Sequence, residues 1–131
     1  MNQSKIIPLD RLKNSQRLFA VRDFKQALQS EKVGIIAEIK RRSPSETDIM
    51  ISADPAKVAV SYQANGASAI SVVTDQYFFG GHLDFIHQVK QVVALPILRK
   101  DFIISEYQVW ESFHAGADAI ILIMDAIEFG L

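Results

Sequence analysis

The sequence predicts an α/β fold: the N-terminal half, strands 1 to 4, of a (β/α)8 TIM barrel, preceded by an N-terminal helical extension. Four short apolar runs alternate with segments of helical periodicity, as in a parallel sheet with right-handed crossovers. A short pattern also recurs, since Gly66–Ile70 and Gly116–Ile120 each join the end of a helix to a strand. No Gly-x-Gly-x-x-Gly follows the first strand, which disfavours a dinucleotide-binding sheet.

Residues 1–32 are expected to form the N-terminal extension, and residues 33–131 the first four βα units of a single domain. Apolar residues recur in the extension at helical spacing: Leu18, Val21, Phe24, Ala27 and Leu28. This spacing predicts a helix from about Gln16 to Ser30. Its apolar stripe would lie against one end of the barrel.

The strands and helices of the barrel follow from apolar runs and from cap and turn residues. The pair Asp54-Pro55 is a typical helix start, and Gly66 ends that helix. Residues 77–81 are expected to form an aromatic, glycine-rich loop. The predicted strands cover residues 33–40, 69–73, 95–98 and 119–124, and the predicted helices between them cover residues 55–66, 83–93 and 105–115.

The chain is short for this fold. A complete barrel of this type needs about 250 residues, whereas this sequence has 131 residues and four predicted strands. A lone sheet of four strands would expose two apolar edges. We therefore expect a fragment of a longer barrel, fused to further domains or not. The alternative is a half barrel that pairs with a second copy or with a separate C-terminal half.

Composition excludes several classes of protein. Fourteen basic and fifteen acidic residues give a net charge of −1, which does not favour a nucleic-acid or membrane partner. The absence of cysteine excludes disulfides, thiolate metal sites and a cysteine nucleophile. The apolar run 119–124 is too short to cross a bilayer, and the first residues do not form a signal peptide. A cytoplasmic location is expected.

Charged and aromatic residues occur at the predicted carboxyl ends of the strands, where parallel α/β folds carry their active sites. Glu38 and Lys40 share one face of the first strand, because side chains alternate along a strand. Lys100 ends the third strand. One lysine could donate a proton as a general acid while the other holds anionic oxygens. Phe79 and Phe102 could form flat walls that receive an aromatic ring.

Structural roles are the alternative for these residues. A lysine at a strand end can pair with a nearby carboxylate, as Lys100 could with Asp101, and the two phenylalanines could serve packing alone. A carboxylate within an apolar strand, such as Glu38, is harder to explain by packing. Asp75 and Asp125 are expected to cap helices or loops. The histidines show no metal-ligand spacing, so no metal site is predicted.

Several blocks of the sequence resemble the indole-3-glycerol-phosphate synthase family. The block from Ile36 reads Ile-Ala-Glu-Ile-Lys-Arg-Arg-Ser-Pro-Ser, and the block from Pro96 reads Pro-Ile-Leu-Arg-Lys-Asp-Phe-Ile; both are specific to the family. Further matches lie at residues 74–81 and 116–123, so the resemblance covers about residues 16–127. The first block disfavours a different phosphate-handling barrel such as phosphoribosylanthranilate isomerase.

The resemblance implies a carboxy-lyase of tryptophan biosynthesis that closes an indole ring with loss of carbon dioxide. The implied substrate is 1-(2-carboxyphenylamino)-1-deoxyribulose 5-phosphate, and no organic cofactor or metal is implied. Lys100 matches the family lysine that acts as general acid on the carbonyl oxygen. Lys40 matches a lysine that binds the substrate and assists catalysis, and Glu38 matches the carboxylate linked to it. The implied substrate-binding residues are Ser43, Phe79 and Phe102.

The chain departs from the family in two respects. Glu46-Thr47 follows the Ser-Pro-Ser turn, where the family usually has Lys or Gly and then Gly. A glutamate there could weaken binding of an anionic substrate, or it could point to solvent. The family's second catalytic glutamate, its asparagine and its phosphate site belong to the half of the barrel beyond the fourth strand. We therefore expect negligible activity from the 131-residue chain alone.

Overall fold

The computed structural model describes residues 7–29, 32–42 and 53–122 of the chain. In this part of the chain, four parallel strands lie side by side in the order of the sequence. This topology confirms the predicted α/β fold and matches the N-terminal half of a (β/α)8 barrel.

The strands are β1 (Ile36–Ile39), β2 (Ala69–Val73), β3 (Ile97–Lys100) and β4 (Ala119–Ile120). The helices are α1 (Leu9–Asn14), α2 (Phe24–Leu28), α3 (Pro55–Ala64), α4 (Gln76–Phe79), α5 (Asp84–Lys90) and α6 (Glu106–Ala115). Within the described ranges, no helix has the length and apolar character that crossing a membrane requires.

The two faces of the sheet have different surroundings. The buried core lies between the sheet and the helices and contains Ile39, Ile70, Val72 and Ile97 from the strands with Ala59, Ile86 and Val89 from α3 and α5. Burial of each large aliphatic side chain there stabilises the fold by about 1.5–3 kcal/mol. Glu38, Ser71 and Leu98 lie in register on β1, β2 and β3, and strand alternation places them on the opposite face. That second face is the one that carries the candidate site.

Several predicted element boundaries change in the structure. The ladder between β1 and β2 begins at the pair Ile36 and Ala69, and Val33, predicted to be in the strand, is exposed. The helix predicted over residues 83–93 ends earlier, at Lys90. The third strand begins at Ile97, two residues later than predicted, and it ends on Lys100 as expected. The fourth strand ends at Ile120, earlier than predicted, and residues 123–124 and Asp125 lie outside the described residues.

The aromatic segment after β2 is partly helical and not a plain loop. Its residues Gln76–Phe79 form α4, and the Asp75 carboxylate accepts a hydrogen bond from the Phe78 amide at 2.7 Å. This confirms that Asp75 caps a helix. Gly80 ends α4 with a φ of +63°, a left-handed conformation that glycine adopts without a steric penalty.

The predicted helix from Gln16 to Ser30 is wrong. The extension instead contains α1 and α2, and the chain between them is not helical. The backbone between α1 and α2 is held by tertiary hydrogen bonds, since the Arg22 amide donates to Asp118 Oδ1 at 2.8 Å. The Arg22 guanidinium also donates to the carbonyls of Val93 and Leu95, both at 2.8 Å. Leu18 and Val21, the apolar residues that suggested the helix, are exposed.

Asp118 is the centre of a buried cluster at the amino end of the sheet, remote from Lys100. Its Oδ2 accepts hydrogen bonds from Lys90 Nζ and from the Ile97 amide, both at 2.8 Å. Its Oδ1 accepts a hydrogen bond from Arg17 Nη2 at 3.0 Å. The side chains of Lys90 and Asp118 are fully buried. Burial lowers the pKa of Lys90, although the ion pair with Asp118 opposes this shift.

Gly81→Ala is expected to destabilise the protein by about 2–3 kcal/mol, because the fold leaves no room for a side chain there. A Cβ at Gly81 would lie 2.1 Å from the Val73 carbonyl oxygen, an atom of β2 that cannot move independently. Gly66→Ala is the control: its Cβ would meet open space, so only the strain of its φ of +94° remains, about 1–2 kcal/mol. Urea titration of both variants measures the difference. An equal or smaller loss for Gly81→Ala would contradict the steric argument.

Candidate active site

The carboxyl ends of β1 and β3 lie on either side of β2, so parallel pairing brings their last residues to one edge of the sheet. Glu38 lies within β1, Lys40 follows that strand directly, and Lys100 is the last residue of β3. Lys100 pairs with Val73 of β2, and its carbonyl accepts a hydrogen bond from the Thr74 amide at 3.1 Å. The sheet itself therefore sets the spacing between the two lysines.

Glu38 lies between the two lysines. Lys100 Nζ donates a hydrogen bond to Glu38 Oε1 at 2.9 Å, and Lys40 Nζ lies 3.9 Å from Glu38 Oε2. All three side chains are partly exposed, at 29% for Glu38, 34% for Lys40 and 42% for Lys100. The structure thus brings together the three residues that the sequence singled out as candidate catalytic groups. Two ammonium groups about one carboxylate can donate a proton and hold anionic oxygens.

The alternative pairing of Lys100 with Asp101 is not what the structure shows. Asp101 Oδ2 instead accepts hydrogen bonds from Thr74 Oγ1 at 2.6 Å and from Arg99 Nη2 at 3.2 Å. The Asp101 carboxylate is therefore already bound by Thr74 and Arg99. Lys100 pairs instead with Glu38, on the face of the sheet that would line the interior of the barrel.

A cavity opens beside the lysines at this edge of the sheet. It is lined by Lys40, Val73, Asp75, Phe79, Lys100, Asp101 and Phe102 and encloses about 380 Å³, including the part open to solvent. Phe79 is half-buried, and Phe102 is exposed at the cavity wall, where packing alone does not account for it. Both phenylalanines therefore lie where an aromatic ring of a ligand could stack. Ser43 lies outside the described residues.

The wall formed by α4 is fixed to the end of β1 through Arg42. The Arg42 amide donates to the Phe79 carbonyl at 3.2 Å. The Arg42 guanidinium donates to the carbonyls of Gln76 and Tyr77 at 3.3 Å and 3.0 Å. Carbonyls near the end of a short helix have few partners within the helix, and these bonds satisfy them. The position of Phe79 thus depends on the segment that follows Lys40.

A polar cluster around Arg99, behind the sheet, was not predicted from the sequence. The guanidinium is buried and binds side chains of the residue after β2, the residue after β3 and α6. Strand alternation was the available signal, because it places Arg99 on the same face as Ile97, against the helices. No cluster of three or more aspartate, glutamate or histidine side chains suited to a metal ion occurs among the described residues.

Comparison with known proteins agrees with this geometry. The model of the family described as indole-3-glycerol phosphate synthase matches residues 1–130. An indole-3-glycerol phosphate synthase of Chlorobium phaeovibrioides is 50% identical over 109 residues, which are 82% of this chain and 42% of that protein. One of Bacteroides thetaiotaomicron is 50% identical over 83% of this chain and 42% of its own length. One of Saccharopolyspora erythraea is 48% identical over 93% of this chain and 46% of its own length. The chain thus spans less than half the length of these relatives.

The match includes both of the segments that supply the charged groups of the site, around Glu38 and Lys40 and around Lys100. The match extends over nearly the whole chain. The parallel sheet and the cavity at its carboxyl edge are consistent with it. The chain belongs to the indole-3-glycerol phosphate synthase family.

Proposed function

We propose that a barrel containing this chain converts 1-(2-carboxyphenylamino)-1-deoxyribulose 5-phosphate into indole-3-glycerol phosphate, with release of carbon dioxide and water. The observation that carries the proposal is the convergence of Lys100, Lys40 and Glu38 beside a cavity with two phenylalanines in its wall. The names of the relatives support it, since each is an indole-3-glycerol phosphate synthase.

In the proposed reaction, Lys100 is the general acid. The ring carbon that bears the carboxylate attacks the ribulose carbonyl, and the ammonium of Lys100 gives a proton to the carbonyl oxygen. Carbon dioxide then leaves, and the electron pair of the broken bond returns to the ring. Loss of water completes the indole. Lys100 suits this role because its ammonium group lies at the cavity and is held at 2.9 Å by a carboxylate that fixes its direction.

The other site residues bind and orient the substrate in this proposal. Lys40 holds an anionic oxygen of the substrate, and Glu38 holds the two ammonium groups in position by attracting both. Phe79 and Phe102 flank the anthranilate ring. For Ser43, a contact with the substrate is proposed from the resemblance alone. The other four roles come from the resemblance and from the position of the described residues.

We also propose that further strands complete the barrel, with residues 1–32 as an extension and residues 33–131 as its first four βα units. Within the described residues, β1 pairs only with β2 and β4 only with β3. Apolar side chains near these two edges, including Ile35, Ile36 and Leu122, are exposed. Such edges favour pairing with other strands. A C-terminal half, whether fused or separate, would supply them, and a second copy of the chain is the alternative.

The test compares two samples with the substrate in a fluorescence assay for indole. One is the 131-residue chain. The other, called the completed barrel below, is this chain joined to the strands of the Bacteroides thetaiotaomicron relative that have no counterpart in it. We expect turnover of about 1 s⁻¹ or more from the completed barrel, the lower end of ordinary enzyme rates. The chain alone is expected to give no measurable turnover.

Each other outcome has a definite meaning. A completed barrel that folds, binds the substrate and forms no indole contradicts the proposed function. Turnover by the chain alone, together with a dimer in size-exclusion chromatography, would replace a C-terminal half by a second copy as the partner. Turnover by a monomeric chain would show that four strands suffice.

A further inference from the structure

Arg99 lies directly behind the proposed general acid. It precedes Lys100 on β3, and strand alternation sends the two side chains to opposite faces of the sheet. Lys100 reaches the cavity, while Arg99 is only 5% exposed and lies between the sheet and α6. A charged side chain is rarely buried among helices without a specific set of partners.

The Arg99 guanidinium ties three segments together. Its Nε donates to Thr74 Oγ1 at 3.0 Å, and its Nη2 donates to Asp101 Oδ2 at 3.2 Å. Its Nη1 donates to Ser112 Oγ at 2.9 Å and to Glu111 Oε1 at 3.1 Å. Thr74 directly follows β2, whose last residue pairs with Lys100, and the serine and glutamate belong to α6. The planar guanidinium allows only a narrow range of positions for these partners.

The partners of Arg99 also hold the backbone on both sides of Lys100. The Thr74 amide donates to the Lys100 carbonyl at 3.1 Å, and Thr74 Oγ1 donates to Asp101 Oδ2 at 2.6 Å. Asp101 Oδ1 accepts from the Phe102 amide at 2.7 Å. One connected set of hydrogen bonds therefore fixes the residue before Lys100, the two residues after it and its own carbonyl.

We propose that Arg99 is a positioning residue for Lys100: by holding Thr74 and Asp101, it fixes the direction in which Lys100 leaves the end of β3. A long, flexible side chain that must reach one substrate oxygen depends on a rigid attachment point. The inference rests on the proposed function, because it assigns to Arg99 a role in the rate of that reaction. It does not place Arg99 in contact with the substrate.

Arg99→Met in the completed barrel tests the inference, since methionine fills much of the buried space without donating hydrogen bonds. A displacement of about 1 Å at a catalytic group lowers the rate by about 10²-fold, so we expect kcat to fall by about that factor. We expect KM to change by less than about threefold, because the substrate contacts remain. Glu111→Gln is the matched control: it removes only the negative charge of one partner on α6 and leaves Thr74, Asp101 and Ser112 in place, so kcat should stay within about threefold of the parent.

A second measurement does not depend on activity. In Arg99→Met, hydrogen exchange at the amides of Thr74 and Phe102 is expected to become about tenfold faster or more, as local opening becomes easier. Exchange at the Ile70 amide, which donates to the Pro96 carbonyl at the far end of β2, should not change. A uniform increase at all three amides would indicate a general loss of stability and would overturn the positioning role.

The outcomes separate the inference from the proposed function. If the parent barrel forms no indole, the proposed function fails, and the exchange rates still decide whether Arg99 fixes the end of β3. If the parent is active and folded Arg99→Met keeps its kcat, the inference is wrong. If Arg99→Met does not fold, Arg99→Lys replaces it: lysine keeps the charge but cannot hold Thr74 and Asp101 together. A normal kcat in Arg99→Lys overturns the inference.

Discussion

Lys100→Met is expected to lower the kcat of the completed barrel by about 10³-fold, the largest effect that we predict for a change at the site. Methionine has a similar length and keeps the apolar part of the side chain, so the end of β3 should remain in place. It loses the ammonium group that donates to Glu38 Oε1 at 2.9 Å. Without a proton donor, the developing charge on the carbonyl oxygen has to be met by water or by Lys40. Steady-state kinetics with the substrate measures the loss.

Two comparison variants make this prediction specific. Lys57→Met changes an exposed lysine of α3 that does not line the cavity, and kcat should not change. Lys40→Met removes the ammonium group assigned to substrate binding, so it should raise KM more than Lys100→Met does. A folded Lys100→Met barrel that keeps more than about a tenth of the parent kcat would refute the general-acid assignment. An equal rise of KM in both lysine variants would show that both groups only bind the substrate.

The site could be predicted in outline because local pattern determines most of it. Alternation along β1 places Glu38 on the face opposite Ile39, and the parallel order of the strands brings Lys100 to the same edge. The partner of Lys100 could not be predicted from neighbours in the sequence. Asp101 is adjacent to it, but Arg99 and Thr74 bind that carboxylate from behind the sheet, so Lys100 pairs with Glu38. Contacts between distant segments decided this choice.

The N-terminal extension shows the opposite case, in which local pattern failed. Leu18 and Val21 have helical spacing, yet they are exposed, and the neighbouring arginines bind backbone carbonyls just after the ends of α5 and α6. Arg17 donates to the Ala117 carbonyl at 2.8 Å, and Arg22 donates to the Val93 carbonyl at 2.8 Å. These partners lie about 70 to 100 residues away in the sequence, so no spacing rule within the extension could show them. Tertiary hydrogen bonds outweighed a weak helical preference.

Asp118→Ala is expected to lower the free energy of unfolding of the completed barrel by about 3–5 kcal/mol, because it leaves buried cations without their carboxylate. The Asp118 side chain is fully buried and forms ion pairs with Lys90 at 2.8 Å and with Arg17 at 3.0 Å. It also accepts hydrogen bonds from the amides of Arg22 and Ile97, which would lose their partners. Urea titration measures the loss, and Asp84→Ala, an exposed aspartate of α5, should cost less than about 1 kcal/mol.

The pH dependence of this variant distinguishes charge burial from loss of packing. Burial lowers the pKa of Lys90 below its ordinary value of 10.5, and removing Asp118 takes away the ion pair that opposes this shift. Over the range between the lowered pKa and 10.5, the unfolded chain binds more protons than the folded chain, so stability rises with pH. Asp118→Ala should therefore regain stability relative to the parent as the pH approaches 10, about half a unit below the ordinary lysine pKa.

Adding Lys90→Met should remove this dependence and restore part of the loss at neutral pH. A loss in Asp118→Ala that is the same at every pH would mean that the buried charge of Lys90 does not destabilise the variant.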